Sequence, residues 1–227
     1  MVQKLTSAMN DCLSYYEKLI EQRDCAKSKL MFNLLDGEIT AYVTLLNVFT
    51  KYTTLFTEKM RRDSNNASKM VENAIALKEN SLIPELSLAL IQQTKETHQI
   101  LAQLMELDYF FYNQSIQFLL TVIKRDRGSW DNVINIFSSL ITAAVDTVGL
   151  IDPRVGFLKF LSDRIDTVVN MTRQRFEAHP NLNDADKDVQ LIEAHTELLW
   201  EAAAIFVTLT ENMEKVLNES TSDEQTT

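Results

Sequence analysis

LMFNLLDGEITAYVTLLNVF, residues 30–49, decides the fold. Leu30, Leu34, Ile39, Val43, Leu46 and Phe49 recur at steps close to one helical turn, where a strand would alternate every second residue. The stripe reaches back through Leu13, Tyr16, Leu19 and Ile20 and forward to Phe56 and Met60. About Leu5 to Arg62 therefore reads as amphipathic helix. Gly37, beside Asp36, is its one weak point. A glycine inside a helix costs about 1 kcal/mol against alanine, so two readings stand there: a helix that continues, or a kink or two-helix break. Lys59, Arg61 and Arg62 suit a helix C-terminus.

The rest of the chain repeats this character. Only four glycines and three prolines punctuate 227 residues. Asp63-Ser64-Asn65-Asn66 reads as a turn with an N-cap. A second long segment then runs from Ala67 to Arg127, striped by Met70, Ile75, Leu77, Leu86, Leu90, Ile100, Leu101, Leu104 and Leu107. Pro84 is expected to kink or break it near Ser81. An aromatic block follows, Tyr109, Phe110, Phe111, Tyr112 and Phe118, of the density found in cores and interfaces. Lys124, Arg125 and Arg127 close the segment, with Gly128 as its cap. Ser129 opens a shorter apolar helix ending near Gly149. Asp152-Pro153 opens another, carrying Leu158, Leu161, Ile165, Val168 and Phe176 and stopped at His179-Pro180-Asn181. Asn183 caps the last helix, whose core candidates are Leu191, Leu198, Ala202, Ile205, Leu209 and Val216.

The fold class that follows is all-α, a bundle of about five to seven helices, several of them long. Residues 1–219 read as one helical-bundle domain and 220–227 as a disordered polar tail. Either the long segments fold back at Gly37 and Pro84, or the molecule is elongated.

Charge narrows the function classes. The net charge is −10, and from Asn181 to Thr227 there are 11 acidic and 2 basic residues. Nearly all the excess negative charge therefore lies in the last fifth of the chain. Such a segment repels nucleic-acid phosphate and anionic membrane surfaces. The expected partner is a protein, basic where it meets this segment, or a second copy. The N-terminus carries no charged region followed by an apolar run, so a cytoplasmic location is expected. Cys12 and Cys25, thirteen residues apart on one helix, stand too far apart for a disulfide.

Catalytic signatures are absent. Asp184, Asp186 and Asp188 have the first spacing of a calcium loop, but Val189 stands where glycine is needed and His195 where glutamate is needed. First-turn acids explain them through the helix dipole. The three histidines, His98, His179 and His195, are scattered. No Glu-x-x-His pair, P-loop or nucleophile setting occurs. The expectation is no enzyme, no cofactor and no metal.

Two surfaces remain as candidates. Glu193, Glu197 and Glu201 recur every four residues on one helix face and are read as a solvated face or as a docking strip for a basic partner. Tyr109 and Tyr112 belong to the aromatic block. Separately, Val133–Ile151 is 19 residues with one charge, just short of a comfortable membrane span. Val133, Ile134, Ile136, Phe137, Leu140 and Ile141 are read as a buried central helix or as residues that insert into a bilayer or partner groove. In outline the chain resembles BAR domains, in length and in a kinked second helix. It also resembles helical pore-forming toxins of the cytolysin A type, in placing an apolar element between long helices. It departs from the former in its acidity and from the latter in the stop at Pro180. A helical protein–protein interaction module leads over a membrane-interacting protein.

Overall fold

A computed structural model describes residues 1–77, 83–125, 130–151 and 183–224, with scattered positions between 163 and 178. Those residues form five helices: α1 Val2–Asp24, α2 Lys29–Ala76, α3 Ile83–Lys124, α4 Trp130–Ile151 and α5 Asp184–Glu224. The described positions from Asp163 to Glu177 are helical too. The helix expected from Asp152 to Phe176, and its stop at His179-Pro180-Asn181, otherwise lie outside the described residues.

α2 continues through the open question at Gly37 and through the turn expected at Asp63–Asn66. α2 runs straight through Gly37, because Leu35, Ile39 and Tyr42 on either side are all buried in the core. That burial outweighs a local glycine penalty of about 1 kcal/mol. α2 also runs through Asp63–Asn66, where local propensity favours a turn. Glu58 accepts from Arg61 and Arg62 at 2.8 Å each, and Lys59 reaches Asp63 at 2.6 Å. These hydrogen bonds, to Arg61 and then Arg62, pull the Glu58 carboxyl down to about 2. Ala67 is buried just beyond, and Gln93 of α3 donates to the Asp63 carbonyl at 2.9 Å. Tertiary contacts override the cap-forming tendency of Asp, Ser and Asn.

One break was not expected. The chain turns at Cys25–Ser28, a stretch without glycine or proline. Ser28 caps α2, its hydroxyl accepting from the Met31 amide at 3.1 Å. Arg23 spans the turn to Asp36 at 2.9 Å. α2 ends at Ala76, and Pro84 stands in the first turn of α3, where its missing N–H has no intrahelical partner to lose. α2 and α3 are thus separate helices on either side of the kink or break expected near Ser81, which itself lies outside the described residues. α3 ends at Lys124. Arg125 follows with φ of 50°, in the left-handed region; the cap expected at Gly128 lies outside the described residues. The last helix is capped as expected, Asn183 Oδ1 accepting from the Asp186 amide at 2.9 Å. It runs to Glu224, into the segment expected to be a disordered tail.

At 1.5 Å per residue the 48-residue α2 is about 72 Å long. A compact domain of 227 residues would be about 45 Å across, so the elongated alternative is the one adopted. α1 and α3 run antiparallel to α2, shown by Cys12–Tyr42 and by Phe49 stacked on Phe111 at 3.9 Å. α5 runs parallel to α2 and makes the most extensive packing with it. Glu38–His195, Lys51–Glu214 and Arg62 on the Leu217 carbonyl mark that register.

One apolar cluster links all five helices. Its centre is Phe49, edge-on to Phe206 at 5.3 Å, with Tyr52 and Phe56 alongside. Each such side chain contributes about 1.5–3 kcal/mol by leaving water. α4 supplies the flank of this core. Val133, Ile134, Phe137, Leu140 and Ile141 are buried and Ile136 is half-buried. Among the described residues, no helix is long and apolar enough to cross a membrane.

Candidate functional site

Two layers of polar residues lie where α2 and α5 run side by side. The outer layer is a groove of about 380 Å³ lined by Asn33, Leu34 and Gly37 of α2 and by Glu193, Thr196, Glu197, Trp200 and Glu201 of α5. Residues 193, 197 and 201 share one helix face, as their spacing predicted, and 196 and 200 fill the same side one turn apart. Leu191, Leu198 and Ala202 on the opposite side of α5 are buried against the core. That anchoring turns the acidic face outward over α2. Trp200 is 45% exposed, although tryptophan is usually well buried.

Gly37 forms the floor of the groove. A Cβ built there would meet nothing within 4 Å. No close helix approach and no special backbone angle therefore requires a glycine. Alanine would favour the helix by about 1 kcal/mol, yet the position is kept open beneath the tryptophan and the carboxylates. Sequence reading left open whether the helix breaks at Gly37. Its observed effect is to leave volume in a groove wall.

The inner layer is a buried pair. Glu38 and His195 are both 0% exposed, and His195 Nδ1 lies 3.3 Å from Glu38 Oε1. This separation is at the long end for a hydrogen bond. The Phe118 ring of α3 stands edge-on to the imidazole at 5.2 Å. Burial pushes the Glu38 carboxyl up from its ordinary value, opposed in turn by His195 and by the more distant charge of Arg125. Arg125 reaches Asp188 of α5 at 2.9 Å, across the end of α3. Asp188 thus serves an interhelical ion pair rather than a calcium loop.

Sequence reading missed this pair, although a signal existed. Leu35, Glu38, Tyr42, Leu45, Phe49, Tyr52 and Phe56 alternate steps of three and four and are all buried. Glu38 is the one charged residue in that run. On α5, Leu191, His195, Leu198, Ala202, Ile205 and Leu209 do the same, with His195 the one titratable member. A charge in an apolar seven-residue repeat, matched by a histidine in another, is the pattern of polar residues that fix helix register.

The tyrosine surface is separate. Tyr109 lines a groove between α3 and α4 with Gln103, Glu106, Leu107, Phe110, Ala143 and Asp146. Tyr112 is half-buried and packs edge-on against Phe111 at 5.6 Å. The structure does not bring these tyrosines to the Glu193–Glu201 strip. Neighbouring Asp108 is half-buried, and loss of water lifts its carboxyl to about 6. The two cysteines are unbonded: Cys12 is buried 2.9 Å from the Tyr42 hydroxyl, and Cys25 is exposed. Among the described residues, no three His, Cys, Asp or Glu side chains are grouped to hold a metal ion.

The arrangement offers an acidic groove with an indole on its wall and a buried Glu38–His195 contact behind it. Comparison with known proteins returns no matching family model, no matching curated protein and no matching solved structure.

Proposed function

We propose that the protein is a non-enzymatic helical interaction module that docks a basic segment of a partner protein in the groove between α2 and α5. One observation carries the reading: Glu193, Glu197, Glu201 and the exposed Trp200 converge over the open volume above Gly37. Lysine and arginine have the matching shape. Their aliphatic stems suit Leu34 and the indole, and their charged heads suit the carboxylates and the ring face. The five groove residues of α5 span little more than two turns, so the groove takes a short segment rather than a whole domain.

The experiment is a titration of the full chain with a lysine- and leucine-containing amphipathic peptide, followed by Trp200 fluorescence in a Trp130→Phe background. The glutamate counterpart of the peptide is the control. Binding is expected for the basic peptide alone, weakening as salt screens the exposed charges. Replacing Glu193, Glu197 and Glu201 together by glutamine should weaken it about tenfold, since each exposed pair contributes about 0.2–1 kcal/mol. Gly37→Phe should block the groove while leaving helicity intact. Equal binding of both peptides, or none, overturns the reading. The membrane-interacting alternative would require Val133, Phe137 and Leu140 to leave the core, and no observation favours that.

A further inference from the structure

We propose that α1 carries a docking stripe for a second copy of itself, so that two chains pair antiparallel through Val2, Thr6, Met9, Leu13, Tyr16 and Ile20. The stripe shares no residue with the α2–α5 groove, and the inference stands apart from the docking reading just given.

The sequence of α1 holds two seven-residue repeats. Leu5, Ala8, Cys12, Tyr15 and Leu19 alternate steps of three and four. Ala8, Cys12 and Leu19 are buried, and Leu5 and Tyr15 half-buried, on the side that packs on α2 and α3. Val2, Thr6, Met9, Leu13, Tyr16 and Ile20 alternate steps of four and three, about a third of a turn further round the helix. Their spacing is as regular, yet Val2 is 64%, Met9 44% and Leu13 55% exposed. Tyr16 and Ile20 are half-buried against the core, Tyr16 beside the Tyr42 ring at 6.0 Å. The Thr6 hydroxyl is turned to the Val2 carbonyl at 3.1 Å, which leaves its methyl for contact. Packing within the chain therefore uses one repeat of α1 and leaves most of the other in water. A helix packed on one side needs one apolar stripe, and a helix with a further neighbour needs two.

The stripe is complementary to itself. Laid antiparallel on its own copy and centred between Met9 and Leu13, it sets Met9 against Leu13, Thr6 against Tyr16 and Val2 against Ile20. The larger Tyr16 and Ile20 then meet the smaller Thr6 and Val2. Charge selects the same direction. The first turn of α1 holds no acidic residue and carries Lys4, at the positive end of the helix dipole. Exposed Glu17 and Glu21 lie toward its C-terminal end. Antiparallel pairing brings these carboxylates to the first turns of the second copy, whereas parallel pairing would bring them to one another. The cations near them are already engaged: Arg23 reaches Asp24 and Asp36 at 2.9 Å each, and Lys18 lies over the Tyr15 ring. An isologous contact of this kind closes at two copies. From Val2 to Ile20 the stripe is about 27 Å long on a helix about 10–12 Å across, a footprint of roughly 300 Å² per copy. Standard interfaces take about 800 Å² per partner, so the product is a weak, reversible dimer.

Sedimentation equilibrium of the full chain across the micromolar range tests this. A reversible equilibrium between one and two copies is expected. Leu13→Lys should raise the dissociation constant at least about tenfold. It should leave the melting temperature near that of the native chain, because Leu13 is exposed. Met9→Lys repeats the test if Leu13→Lys fails to fold. Replacing Glu17 and Glu21 together by lysine should weaken an antiparallel pair and leave a parallel one unchanged. Leu88→Lys, on the exposed start of α3, is the control and should not alter association. The proposal is overturned by a single copy at every concentration, by growth beyond two copies, by a dimer that survives both stripe substitutions, or by one broken instead by Leu88→Lys. Loss of folding in both stripe variants would make the stripe part of the core and overturns it too. Association unchanged by the two lysines at 17 and 21 overturns the antiparallel register. Leu13→Lys should still bind the basic peptide as the native chain does, so failure of the dimer and failure of the docking reading are told apart.

Discussion

The two halves of α2 make the most instructive contrast in the molecule. From Leu35 to Met60, α1, α3 and α5 surround the helix and its apolar stripe is buried at nearly every turn. From Ala67 to Leu77, in the same unbroken helix, Ala67 and Ala74 are buried but Met70, Ile75 and Leu77 are largely exposed, Leu77 at 70%. The opposing start of α3 matches it, with Leu88 and Ile91 also exposed. Both halves carry apolar residues at helical spacing. Neighbouring helices account for the difference: α1 begins alongside the middle of α2, and α5 reaches the level of Arg62 at Leu217. Periodicity reports that a face could be buried, and only packing decides whether it is.

Substitutions on the two halves should separate sharply. Phe49→Ala removes a ring stacked on Phe111 and edge-on to Phe206 and is expected to cost about 3–5 kcal/mol in denaturant unfolding. A loss below 1 kcal/mol would mean the centre of α2 is not the core. The second effect depends on pH. The Glu38 carboxyl is raised by burial in the folded chain. Its stabilising contribution is therefore complete below the unfolded value, about 4.3, and is lost as pH rises through the raised folded value. Glu38→Gln should accordingly gain on the native chain as pH increases, measured as the difference between their melting temperatures from pH 4 to pH 8. A constant difference would place Glu38 in water.

Smaller effects sharpen the contrast at the helix level. Ser28→Ala should cost about 1 kcal/mol by removing the cap on α2, read from chemical denaturation. The missed turn at Cys25–Ser28 would then be held mainly by the Arg23–Asp36 pair. Gly37→Ala should stabilise by up to about 1 kcal/mol, since the added methyl meets nothing, and a destabilised variant would show hidden strain at that floor. Smallest of all, Leu77→Ala should change stability by no more than about 0.5 kcal/mol, as expected of an exposed side chain. A cost comparable to that of Phe49→Ala would abolish the distinction between the two halves.

Legibility followed the same division. The 3.6-residue period exposed the helices, and Asn183 and the first-turn acids located the start of α5 to the residue. The acidic strip at Glu193, Glu197 and Glu201 was visible because three residues on one helix need no tertiary information to share a face. Its other wall was not visible, because Asn33, Leu34 and Gly37 lie more than 150 positions away. Turn propensity misled at Asp63–Asn66, where a salt-bridged, packed helix overrode it, and at Cys25–Ser28, where no glycine or proline marks the break.

By itself, then, the sequence determined what is local: helical conformation from apolar spacing and scarce breakers, the cap at Asn183, and the acidity of the last helix. Tertiary structure alone decided which faces are wet, that α2 stays continuous through Gly37, and that Glu38 meets His195. The physical reason is one of range. Backbone periodicity and capping act within four residues, whereas burial, the floor of the groove and the Glu38–His195 contact depend on segments that only packing brings together.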